Sequence, residues 1–151
     1  MKKIDKYEKV LVNFDLIFSG ELELSVQAKM SLMAALLHKE FSHWTFCGFY
    51  IIKSSKMLEI GPYQGNILPC THIRVGNGVC GTSVEKRKTI IVDDVREHDN
   101  YISCDSNTLS EIVVPIFVKN KIVAVLDIDS PIVGDFDHID KGYLEKVSSL
   151  V

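Results

Sequence analysis

Near residue 45 the hydrophobic period of this chain changes, and the change constrains its fold more than any other feature. Before it, apolar side chains recur at helical spacing. Tyr7, Val10, Leu11 and Phe14 mark one helix over Lys6–Asn13 and just beyond. Leu22, Leu24, Val26, Met30, Leu32, Met33, Leu36 and Leu37 mark a second within Glu21–Phe41, after a break at Ser19-Gly20. After it, the segment from Cys47 to Lys53 is aromatic and β-branched, as in a strand. Ser54-Ser55-Lys56 then makes a turn, and Met57–Pro62 supplies the hairpin partner.

The rest of the chain continues in short elements. Gln64–Pro69 is expected as a loop, Thr71–Val75 as a short strand, and Val79–Lys86 as a helix entered through Gly76-Asn77-Gly78. Thr89–Val92 is a strand, Asp93–Asn107 a polar loop, and Glu111–Val118 with Lys121–Ile128 a second hairpin turning at Lys119-Asn120. A final helix, His138–Leu150, takes Asp137 as its N-cap. This order gives one α+β domain over residues 1–151, with a mostly antiparallel sheet of five or six strands. The N- and C-terminal helices are expected together on one face of it.

A chain of 151 residues is long enough to bury roughly two-thirds of its unfolded surface around one core. Its formal charge of −3 and scattered lysines offer no basic footprint for nucleic acid. No apolar run approaches the ~18–20 residues of a membrane span. The lysines at Lys2 and Lys3 are not followed by the apolar stretch of a secretory leader, so a cytoplasmic setting is expected. In that reducing compartment, cysteines serve as core thiols, metal ligands or redox groups rather than as static disulfides.

Cys70, Cys80 and Cys104 stand ten and then twenty-four residues apart, each in a turn-prone segment. Zinc would need a fourth ligand from His72 or His98, and the set lacks the paired spacing of structural sites, so no metal is expected. No cofactor is expected either, because Gly76-x-Gly78 lacks the lysine of a phosphate-binding loop. By local physics Cys80 is the low-pKa thiol, since it lies at a glycine-rich helix N-terminus that favours an anion. Cys47 reads as a core thiol, and His38, His43 and His138 as surface or helix-end residues. Asp127 and Asp129 fall on one face of their strand, as alternate residues do. Left to themselves, they could equally be strand-end carboxylates turned to solvent.

Five segments taken in order resemble a known family: Gly48-Phe49-Tyr50, Gly61–Gly65, Gly76–Thr82, Ser110–Pro115 and Leu126–Pro131. Over roughly residues 20–150 the chain is similar to the free methionine-(R)-sulfoxide reductases, stand-alone enzymes with a GAF fold. The resemblance implies that Cys104 is the nucleophile that becomes a sulfenic acid, that Cys70 resolves it into a disulfide, and that Cys80 is a third thiol of variable role. It implies that Glu111, Asp127 and Asp129 hold the substrate and activate the sulfoxide, with Tyr50 and Phe46 walling the pocket. Phe46 stands where the family usually has Trp, although Trp44 lies two residues earlier. Paired carboxylates suit the ammonium group of a free amino acid. Partial desolvation would also raise the pKa of Glu111 toward that of a working acid. Thioredoxin is the implied reductant and a homodimer the implied assembly. The alternative, from a different class, is a non-catalytic GAF sensor that binds a small ligand.

Overall fold

The computed structural model describes residues 1–20 and 22–151; Glu21, the expected start of the second helix, lies outside them. Helix α1 (Lys3–Phe18) is longer at both ends than the period indicated. Helix α2 (Val26–Glu40) begins where the Ser25 hydroxyl accepts a hydrogen bond from the Ala28 amide, which leaves Leu22 and Leu24 ahead of it. Strands β1 (Phe46–Ser54), β2 (Met57–Gly65) and β3 (His72–Arg74) precede helix α3 (Gly78–Lys86). Strands β4 (Ile90–Val92), β5 (Ser110–Val118) and β6 (Lys121–Ser130) follow, then helix α4 (His138–Ser148). The six strands form one sheet in the order β3-β2-β1-β6-β5-β4, and every pair is antiparallel.

Two hairpin details follow from local chemistry. Lys119 and Asn120 both take positive φ, 49° and 64°, the pairing that lets a two-residue turn match the twist of its strands. Strand β2 runs three residues past Pro62, where the sequence pattern had placed its end. The register steps from Tyr50↔Ile60 to Gly48↔Tyr63, so Gly61-Pro62 sits in a bulge. A proline, which has no N–H to donate, is tolerated there.

Alternation along the strands divides the interior in two. Cys47 and Phe49 of β1, Ile112, Val114 and Ile116 of β5, and Ala124, Leu126 and Ile128 of β6 face the helical layer. There they pack with Tyr7 and Phe14 of α1, Met33 and Leu37 of α2, and Leu144 and Val147 of α4, so the terminal helices share one face as expected. Each such buried side chain contributes on the order of 1.5–3 kcal/mol. Asp140, in the first turn of α4, is almost wholly buried. It accepts from the Tyr7 hydroxyl and from Lys3, which ties α4 to α1. Asp137 caps α4 through the Ile139 and Asp140 amides. The opposite face of the sheet carries the site.

Candidate active site

On that second face, the alternate residues of three adjacent strands point the same way: Phe46, Gly48 and Tyr50 from β1, Asp127 and Asp129 from β6, Glu111 and Val113 from β5. The register pairs Asp129 with Glu111 on one side and with Phe46 on the other, while Asp127 lies between Val113 and Gly48. A Cβ at Gly48 would overlap Tyr63 and the Phe46 ring, so only glycine lets those aromatics close over the strand. Helix α3 covers the carboxylates and brings Cys80 down onto them. The Cys80 sulfur and one oxygen each of Glu111 and Asp127 lie within 4.8 Å of one another.

Two loops form the mouth. Cys70, just before β3, and Cys104, in the long connection between β4 and β5, are joined as a disulfide with their Cα atoms 5.3 Å apart. That separation is ordinary for a disulfide. The Tyr50 hydroxyl rises from the floor and donates to the Cys70 carbonyl at 2.9 Å, fixing the approach of that loop. Gly78, at φ 63°, opens α3 against Ile102 of the Cys104 loop. With the disulfide formed, the cavity enclosed by Phe46, Tyr50, Cys80, Tyr101, Cys104 and the carboxylates measures about 20 Å³. That is room for about one water molecule.

Every carboxylate of the floor is buried and has a raised pKa. Glu111 and Asp127 are each 6% exposed and Asp129 9%. Burial pushes Glu111 well above the usual carboxylate range, and the negative charges of Asp127 and Asp129 push it further. Burial, then Asp127, then Asp105 raise Asp129 in the same way. Burial lifts Asp127 to about 6, while hydrogen bonding from Glu111 and Cys80 pulls the other way. Oxygen Oδ1 of Asp127 is buried without a hydrogen-bond partner among the described residues.

These carboxylates set a pH dependence of stability. Because their native pKa values are raised, the native state holds more protons than the unfolded chain. The stability they contribute is full below about pH 4 and is lost as pH climbs through 6 and beyond. Urea unfolding of the ligand-free chain should therefore show a lower midpoint at pH 8 than at pH 5, with the difference reduced in Asp127→Asn. A midpoint that holds steady or rises over that range would contradict the assignment.

Comparison with known proteins bears on what such a site belongs to. The GAF domain family matches residues 23–151. The free methionine-R-sulfoxide reductase of Escherichia coli is 37% identical over 151 residues, covering 99% of this chain and 89% of that one. The structure of free methionine-R-sulfoxide reductase from Neisseria meningitidis, in complex with its substrate, superposes with a TM-score of 0.92 at 36% identity, over 99% of this chain and 88% of that one. The reduced fRMsr of Staphylococcus aureus superposes at 0.87 with 41% identity, over 95% and 91%. The chain belongs to the free methionine-R-sulfoxide reductases. This is a family of oxidoreductases built on a GAF domain.

Measured against that family, the structure corrects one reading of the residues and refines two others. Cys80 is not an activated thiol at a helix end. It is 2% exposed, and burial together with the nearby Asp127 and Glu111 raises its pKa well above the ordinary value. The dipole of a short helix is outweighed by desolvation and adjacent carboxylates. Phe46 lines the cavity, whereas Trp44 stacks on Phe41 in the helical layer, so this cavity has a phenyl wall and no indole. Asp127 and Asp129 are not turned to solvent. Cys47 is a fully buried core thiol, and His43 and His138 are exposed. His38, at the end of α2, is half-buried against the Trp44 carbonyl. His72 turns away to Glu59. Tyr101 and Ile102 line the cavity as well, and the polar composition of their loop gave no sign of it.

Proposed function

We propose that this chain reduces free L-methionine (R)-sulfoxide to methionine, acting as one domain over residues 1–151. The observation that carries the reading is the Cys70–Cys104 disulfide at the mouth of a pocket floored by three buried carboxylates whose pKa values are raised. The Cys104 thiolate attacks the sulfoxide sulfur while Glu111, held as the acid, protonates the oxygen. The hydroxyl then passes from the substrate sulfur to the Cys104 sulfur as the bond between the two sulfurs breaks, so that methionine leaves and Cys104 is left as a sulfenic acid. The Cys70 thiol then attacks the Cys104 sulfur, releasing water and forming the disulfide. Two thiols are oxidised for each sulfoxide reduced.

Asp127 and Asp129 receive the ammonium group that only a free amino acid presents, and its positive charge draws them into their ionised form. Phe46 and Tyr50 wall the apolar part of the substrate. The roughly 20 Å³ cavity of the disulfide form is far too small for methionine sulfoxide, which fits a product state awaiting reduction. Thioredoxin, by thiol–disulfide exchange at the half-exposed disulfide, is the reductant in this scheme. A cytoplasmic setting and a homodimer complete it. No helix among the described residues is long and apolar enough to cross a membrane.

The test couples NADPH, thioredoxin reductase and thioredoxin to each sulfoxide epimer of free methionine. The (R) epimer should be consumed and the (S) epimer left. Consumption of neither, or of both at similar rates, would overturn the reading.

A further inference from the structure

We infer that the disulfide form of this chain binds a thiophilic divalent cation, zinc, through Cys80, Glu111 and Asp127. This goes beyond the reductase reading and does not need it. Among the described residues these three form the one group of metal-ligating side chains whose donor atoms converge. Their sulfur and two oxygens lie within 4.8 Å of one another, and all three residues are buried. Zinc takes thiolate sulfur at about 2.3 Å and carboxylate oxygen at about 2.0–2.2 Å, so a tetrahedral site needs donors roughly 3.5 Å apart. The three donors would have to draw together to that separation when the ion enters.

A second observation points to a ligand. Asp127 Oδ1, in a residue 94% buried, has no hydrogen-bond partner among the described residues, and Asp127 lines the cavity. An unmet acceptor in such a place is costly unless something cationic or hydrogen-donating meets it. The cavity of about 20 Å³ leaves room for one water, which would serve as the fourth ligand. The donor set also selects the ion. Magnesium and calcium require oxygen shells, whereas a mixed sulfur and carboxylate set favours zinc. Binding expels the Cys80 thiol proton and any proton held on the two carboxylates, so no oxidant or reductant is involved. Cys70 and Cys104 are tied up in the disulfide, and Cys47 faces the other core, so Cys80 is the free thiol of this cavity.

The experiment uses the oxidised full-length chain and cobalt(II) as a spectroscopic stand-in. One equivalent should produce thiolate-to-cobalt charge-transfer absorption with the visible bands of a tetrahedral site, and zinc should abolish both. The charge-transfer band should persist in Cys47→Ala and vanish in Cys80→Ser, whose zinc affinity by calorimetry should fall at least about tenfold. Absence of the band from the wild-type chain would overturn the inference whatever the variants do. So would its survival in Cys80→Ser or its loss in Cys47→Ala.

Discussion

Cys104→Ser should abolish sulfoxide turnover, while Cys70→Ser should complete a single turnover and then stall with thioredoxin as reductant. The two substitutions remove the two ends of one disulfide, yet the chemistry asks different things of each. In the proposed mechanism only Cys104 meets the sulfoxide sulfur, and a serine hydroxyl does not ionise near neutral pH to replace it. Loss of a covalent nucleophile costs enzymes on the order of 10⁶ in kcat. Cys70 enters after the S–O bond has broken, so its loss leaves the first methionine formed and Cys104 as a sulfenic acid. Quantifying methionine per chain in a single-turnover mixture separates the two: about one for Cys70→Ser and none for Cys104→Ser. Normal single-turnover yield from Cys104→Ser would move the nucleophile elsewhere.

Glu111→Gln should lower kcat by roughly 10²–10⁴, the range for loss of a positioned general acid, with KM changed only a few-fold. The amide keeps the shape of the side chain and can still donate a hydrogen bond, but it has no proton to give the departing oxygen. Glu111 is held protonated by burial and by the charges of Asp127 and Asp129. Its activity should therefore decline on the alkaline side as that proton is lost, and the variant should lack that limb. A variant with kcat within tenfold of wild type, or with the alkaline limb intact, would remove Glu111 from the acid role.

What the sequence disclosed was local. The Asp137 cap, the Lys119-Asn120 turn and the shared face of Asp127 and Asp129 each depend on a few neighbouring residues, and each stands in the structure. What it concealed depends on partners distant along the chain. Pro62 looked like a strand end because a bulge is visible only when β1 lies beside β2. Cys80 looked like a low-pKa thiol because its helix end was read alone, without the carboxylates on which α3 lays it. The substitution of Phe46 for the family's usual Trp was visible, but whether Trp44 compensates was not. Phe46, in β1, faces the cavity, and Trp44, ahead of the strand, packs among the helices. The Tyr50 bond to the Cys70 carbonyl crosses from β1 to the approach to β3, with no signal in either segment. Pairing of Cys70 with Cys104 came from the family resemblance; spacing alone left the three thiols unordered.

The most direct test of the central claim counts thiols. The fully reduced chain has four cysteines. After one equivalent of free L-methionine (R)-sulfoxide, titration under denaturing conditions should find two thiols remaining, with Cys70 and Cys104 recovered in one disulfide-linked peptide pair. Four thiols remaining, with the sulfoxide bound but unchanged, would show a binding domain and not a reductase.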